Sequence, residues 1–303
     1  MTVTLGSAEV ARVLEWVGPV KTVEEMFPDT PAHLWTEDIA PHHWIPESRA
    51  YRAAIQTWVV RIAGRTVLID TGVGNDRERP QAPAFDHLHT DFLDVLAGVG
   101  VNPEDVDVVI NTHIHYDHVG WNTRLDRGQF VPTFPNATYV VPEADYDYFR
   151  PENAERMRPP RTEDEKARFA GIRLVFEDSI APVAAAGQLQ TWRGEHRVDD
   201  VLRLEPAPGH TPGSSVVWLE SGAGAVFVGD LVHTPLQISR PHDSCAFDID
   251  AAQAGVSRNA VLARAAQRGT AVYPAHFAGH GALTPASRGD NLEIAHWEDF
   301  DAV

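Results

Sequence analysis

The sequence predicts a layered α/β fold, and three observations lead there. Short apolar strands recur along the chain with helices interspersed between them. Several of these strands end in a histidine or an aspartate, and sites in layered α/β folds form at strand ends, where loops converge. Each half of the chain runs through strands, a helix and then a loop bearing ligand-type residues, with no short-period repeat and no long linker. One domain over residues 1–303, built of two similar halves, is the expectation.

The elements follow in order. Glu9 to Val17 reads as a strand. Residues 26–51 are rich in Pro, Trp and His, have no clean period, and read as a long ordered loop. Ile55 to Ile62 and Thr66 to Asp70 are strands joined by a tight turn at Ala63-Gly64-Arg65. His87 to Ala97 places Leu88, Phe92, Leu93 and Leu96 on one helical face, with Gly98 or Gly100 to end it. Val106 to Ile110 and Thr138 to Val141 are strands, and residues 142–170 contain two helices. Strands return at Val201 to Glu205, Ser215 to Leu219 and Ala225 to Val228, the last two joined by Ser221-Gly222-Ala223-Gly224. A helix from about Asp250 to Gln267 and a strand from Ala271 to Pro274 complete the reading.

Composition narrows the function. A chain of 303 residues with 43% hydrophobic content fills a sizeable core. A net charge of −18 repels nucleic acid and anionic membrane, so neither is an expected partner. The single cysteine, Cys245, excludes an intrachain disulfide and a cysteine-based zinc knuckle. Residues 1–10 lack the charged and apolar regions of a signal peptide, and no apolar run has the length of a membrane span, so a cytoplasmic location is expected.

The chemistry concentrates at Asn111-Thr112-His113-Ile114-His115-Tyr116-Asp117-His118, after the apolar run Val106 to Ile110. Four imidazole or carboxylate groups within six residues suit a borderline metal such as Zn²⁺. Packing alone gives no reason to crowd such groups at the end of a buried strand, where unpaired polar atoms are costly. Three later motifs also place a ligand type after a short apolar run. They are Gly209-His210-Thr211-Pro212-Gly213, Gly229-Asp230 and Tyr273-Pro274-Ala275-His276.

Together with Leu68-Ile69-Asp70-Thr71-Gly72, these motifs stand in an order that resembles the metallo-β-lactamase superfamily. The resemblance spans residues 68–276 and implies a four-layer αββα sandwich. It implies that His113, His115 and His210 hold one metal, that Asp117, His118 and His276 hold a second, and that Asp230 bridges them. The implied cofactors are two Zn²⁺ per chain, although other first-row divalent metals suit such ligands. The iron-binding redox branch has a Glu where this chain has His115, so hydrolysis is favoured. Two ions would clamp a water, lower its pKa from ~15.7 to ~7, and supply hydroxide as the nucleophile. Asp117 would then orient the hydroxide and move its proton. Asp70 is expected to order a ligand histidine or the Asp117 loop. His276 and His280 compete for the last ligand place, and the family pattern favours His276.

The segment Gly229 to Gln237 resembles a branch that includes methyl parathion hydrolases, lactonases and arylesterases. In the N-acyl-homoserine lactone lactonases a Tyr that contacts substrate stands third after the bridging Asp. His233 stands there in this chain and is expected to hydrogen-bond a substrate oxygen. Residues 142–200 are expected to form a helical insertion over the active site. Trp44, Phe85, Trp121, Tyr146 and Phe149 are candidate contacts for an apolar small-molecule substrate. The expected function is hydrolysis of a small ester or lactone. The alternatives are phosphotriester or phosphodiester hydrolysis at the same site, and a metabolite-binding or polyketide-cyclase-like role. The resemblance also permits a homodimer.

Overall fold

The computed structural model describes residues 2–36, 42–156, 159–160, 162–298 and 300. An eight-stranded sheet runs Thr2–Leu5, Ala8–Thr22, Ala50–Ile62, Arg65–Ile69, Val108–Ile110, Thr138–Pro142 and Leu189–Trp192, with Trp44–Ile45 paired onto Ala50–Ile62. A seven-stranded sheet runs in chain order from His196–Arg197 through Leu202–Pro206, Ser215–Leu219, Ala225–Gly229 and Ala271–Pro274 to Leu283–Arg288 and Asn291–Trp297.

Side chains alternate along each strand, so each sheet has two apolar faces. Val67, Ile69, Val108 and Ile110 meet Leu204, Val217, Phe227 and Tyr273 between the sheets. The intervening Leu68 and Val109 face outward against Phe92 and Leu96 of the helix Phe92–Gly98. On the other side, Trp218, Val226 and Val272 pack against Val261, Leu262 and Ala265 of the helix Ala251–Arg268. That helix starts where Asp250 accepts the Gln253 N–H at 3.0 Å and stops at left-handed Gly269. The result is the four-layer αββα sandwich. Among the described residues, no helix is long and apolar enough to cross a membrane.

Topology brings the motifs together. Arg65–Ile69, Val108–Ile110 and Thr138–Pro142 are mutually parallel, so their carboxyl ends share one edge. Ala225–Gly229 and Ala271–Pro274 are parallel in the facing sheet. Asp70, the 111–118 loop, Asp230 and His276 all follow such ends.

Several elements differ from the expectation. The helix expected from His87 begins at Phe92, because His87 is left-handed (φ 54°) and the Thr90 N–H is held by Asn75 Oδ1 at 2.8 Å. The 26–51 stretch is broken by the short helix Ala32–Leu34 and by Trp44–Ile45, and its residues 37–41 lie outside the described residues. Residues 142–200 are part scaffold. Glu143–Phe149 and Glu163–Val175 are the two helices, but Val183 packs in the outer core, and Leu189–Trp192 closes the first sheet parallel to Thr138–Pro142. Residues 157, 158 and 161 of this stretch lie outside the described residues. The strands Thr2–Leu5, Leu283–Arg288 and Asn291–Trp297 lie at sheet margins, where half-exposed faces carry a weaker apolar alternation.

Candidate metal centre

The strand Val108–Ile110 delivers the chain into a loop that closes on itself. Asn111 Nδ2 donates to the His118 carbonyl at 2.9 Å, and the Thr71 N–H donates to the same oxygen at 2.8 Å. Asp70, itself left-handed at φ 56°, accepts from the Thr112 N–H at 2.8 Å and lies 2.9 Å from His118 Nδ1. A left-handed non-glycine residue is uncommon, and here it aims a carboxylate at a ligand loop.

His113, His115, His210 and Asp230 form one group whose ligand atoms lie within 4.8 Å of one another. His113 Nε2 and His210 Nε2 lie 3.0 and 3.1 Å from His115 Nδ1. Asp117, His118 and His276 form a second such group. Asp230 stands between them, with Oδ2 3.1 Å from His210 Nε2 and Oδ1 2.9 Å from His276 Nε2. A third group joins Asp230, His233 and His276. His233 Nε2 lies 3.2 Å from Asp230 Oδ2, and its ring stacks on His276 at 5.6 Å.

The far side of most of these imidazoles is fixed. His118 Nδ1 meets Asp70, His210 Nδ1 meets Asp248 at 3.0 Å, and His276 Nδ1 meets the Ala54 carbonyl at 2.9 Å. Such partners set the ring orientation and leave the other nitrogen free to bind. Asp248 also accepts from the Cys245 N–H at 2.9 Å and pairs with Arg258 at 3.5 Å.

The donor set fits divalent metal. Tetrahedral ligands at zinc–nitrogen distances of 2.0–2.1 Å lie ~3.3 Å apart, close to the 3.0 and 3.1 Å separations here. His118 Nε2 and Asp230 Oδ1 are 3.0 Å apart, yet misalignment leaves both buried atoms without a hydrogen bond. Unpartnered buried polar atoms of this kind call for an ion or a water.

The electrostatics agree. Burial opposes charge on His118, but Asp230, Asp70 and Asp117 outweigh it and hold its pKa well above the ordinary value. Burial likewise opposes charge on His210, and Asp230 with Asp248 pushes its pKa up to about 9. Burial would raise Asp230, but the surrounding His118, His276, His233 and His210 hold it well below the usual carboxylate range. Burial and the neighbouring His118 keep His113 well below its ordinary value. The buried carboxylates favour positive charge in this pocket, which divalent ions would supply on loading.

These groups form the floor of a cleft with about 740 Å³ of empty space, mouth included. His115, Asp117, Asp230, His233 and His276 line the floor. The walls are largely apolar: Met26, Ile55 and Phe85 line them, with Ile114 packed beside Ile172 and Val175 of the helix Glu163–Val175. Among its described lining residues, none is Lys or Arg.

Of the aromatic contacts expected from sequence, Phe85 lines this cleft and four do not. Trp121 is on the outer face of the first sheet, stacked on Phe92 at 5.0 Å, with its indole N–H on Glu15 at 2.7 Å. It is core because its strand-end loop turns it away from the cleft. Trp44 packs beside Tyr51, under the Arg49 guanidinium and outside the cleft lining. Tyr146 packs on Phe176 at 5.4 Å, and Phe149 packs behind the His115 ring at 5.8 Å. His280 is not beside the ligands either. Its Nδ1 meets the Phe300 carbonyl at 3.2 Å, and its ring faces Trp297.

Asp145, Asp248 and Tyr51 escaped sequence reasoning. The Tyr51 hydroxyl donates to the His233 carbonyl at 2.6 Å. Asp145 sits in the first turn of a helix, where an acidic residue reads as an ordinary dipole partner, and Asp248 sits in the loop just ahead of the Asp250 cap. If Asp70 orders His118, Asp70→Asn should weaken metal binding by about 10–100-fold, the usual effect of losing a partner behind a ligand histidine. Chelator competition would measure it, and unchanged affinity would deny Asp70 that role.

Known proteins align with this arrangement. The N-acyl homoserine lactonase AttM of Agrobacterium fabrum is 34% identical over 56 residues, which is 18% of this chain and 18% of that protein. An N-acyl homoserine lactonase of Bacillus sp is 24% identical over 169 residues, 55% of each. The chain thus spans about half or less of the length of these curated relatives. Among solved structures, the hydrolase AbOPH in the beta lactamase superfamily superposes with a TM-score of 0.78, 24% identity and 98% coverage of both chains. AidC, a dizinc quorum-quenching lactonase in complex with a product, gives 0.74 and 20%, covering 99% of this chain and 97% of its own. At these identities the structures establish the fold. The description Metallo-beta-lactamase superfamily matches residues 51–276, and with the αββα sandwich around it the chain belongs to that superfamily.

Proposed function

We propose that the protein is a binuclear, zinc-dependent hydrolase of small, uncharged carboxylic esters or lactones. The observation that carries this reading is the convergence of both ligand groups on Asp230 at the floor of an apolar cleft. His113, His115 and His210 would hold one ion, Asp117, His118 and His276 the other, and Asp230 would touch both. Bound ions would supply Lewis acidity and a water ionised at neutral pH.

The chain's own groups do the rest. Asp117 is half-buried on the floor, its carboxylate 3.5 Å from His276 Nε2 and 3.8 Å from His118 Nε2. It would orient the attacking water and help move its proton. His233 faces the cleft beside Asp230 and would hydrogen-bond a substrate oxygen. The apolar walls exclude bulk water, which strengthens every charge interaction at the floor. Ile172 and Val175 make the helical part of residues 142–200 one of those walls.

The apolar walls favour neutral substrates, because among the described lining residues no Lys or Arg stands to meet an anionic phosphodiester. A neutral phosphotriester suits the same walls and is the second reading. A panel of lactones, aryl esters, phosphotriesters and phosphodiesters on one preparation of known metal content tests this. Metal-dependent turnover of lactones or esters is expected. Turnover confined to phosphodiesters, or none across the panel with two ions bound, would overturn it.

A further inference from the structure

We infer that Asp145 is a positioning residue that sets the three-histidine half of the centre and leaves the other half to separate supports. This rests on the metal reading above and adds to it a residue outside both ligand groups.

Asp145 lies in the first turn of Glu143–Phe149 and is fully buried. Its Oδ2 accepts the Ile114 N–H at 2.9 Å and the Thr211 hydroxyl at 2.8 Å. Its Oδ1 accepts the Gly213 N–H at 2.6 Å. Ile114 separates His113 from His115, and Thr211 adjoins His210. One carboxylate therefore ties the two loops that supply all three histidines. Bonds to an ionised acceptor in a dry setting are stronger than neutral ones.

Two further observations support the tie. A Cβ on Gly213 would lie 2.6 Å from the Asp145 nitrogen and 2.7 Å from Oδ1, so the close approach of Asp145 accounts for a glycine there. Four residues along the same helix face, Phe149 packs on the His115 ring. The helix thus braces this ligand loop through a polar and an apolar contact. The second half is held otherwise: His118 by Asp70 and His276 by the Ala54 carbonyl.

The selectivity is the testable part. Asn at 145 keeps one accepting oxygen and turns an NH₂ toward a donor, so at least one of the three bonds is lost. Metal-free Asp145→Asn would be titrated with Co²⁺ under chelator competition, following both affinities and the visible spectrum. One of the two affinities should fall by about 10–100-fold with a changed spectrum, and the other should hold. Thr211→Val removes one of the three donors and should shift the same affinity less, which decides the matter if Asp145→Asn does not fold. Wild-type affinities and spectrum in both variants, or an equal loss at both positions, would overturn the inference while leaving the metal reading intact. A wild-type protein that binds no Co²⁺ would remove both.

Discussion

Asp230→Asn should lower kcat/KM by on the order of 10³-fold or more, since loss of a single transition-state donor already costs ~10²–10³. Asp230 belongs to two of the three ligand groups, and its oxygens lie 2.9–3.2 Å from His276, His118, His210 and His233. Asn keeps the shape and loses the charge. Its NH₂ would also point at imidazole nitrogens that are oriented to meet an acceptor or an ion. Steady-state kinetics at fixed, measured metal content would show the loss. A variant with wild-type kcat/KM would take Asp230 out of the chemistry.

Stripping the metals should lower the melting temperature by on the order of 10 °C or more. An ion present at ~1,000 times its Kd stabilises the folded state by about 4 kcal/mol, so two contribute about 8. For large domains each kcal/mol moves Tm by ~2–4 °C. Metal-free, the site leaves His118 Nε2 and Asp230 Oδ1 buried without hydrogen bonds, and crowds His113, His115 and His210 within 3.1 Å contacts. Calorimetry before and after chelation, then after Zn²⁺ is restored, measures the shift. A Tm indifferent to chelation would mean that these groups bind no ion that matters to the fold.

The clustered His and Asp residues were legible in the sequence because each motif is local. A strand ends, the chain turns, and a polar group sits where packing alone would not place one. His113 to His118, His210, Asp230 and His276 all follow that rule, and the structure brings them together. Asp145 does not follow it, because its meaning lies in contacts 31 and 66 residues away, with Ile114 and Thr211. Asp248 likewise acts 38 residues from His210. An acid in a helix's first turn or in the loop before it looks the same whether it serves the helix or a distant histidine.

Four of the five aromatic candidates lie away from the cleft for a related reason. Trp121 and Phe85 are equally apolar in sequence, and only the direction of the loops separates outer-layer core from cleft wall. Residues 142–200 looked like an insertion because their charged helices hide a sheet strand, Leu189–Trp192, whose partner lies some fifty residues earlier, Leu189 opposite Tyr139. The layered interior was plain by contrast, since Val67 to Ile69 and Val108 to Ile110 alternate between the two faces of one sheet.

The most direct test is to titrate metal-free protein with Zn²⁺ while following hydrolysis of a neutral lactone or aryl ester. Activity should climb until two equivalents are bound per chain and then level off. Full activity with one equivalent, or without added metal, would contradict a binuclear centre joined through Asp230.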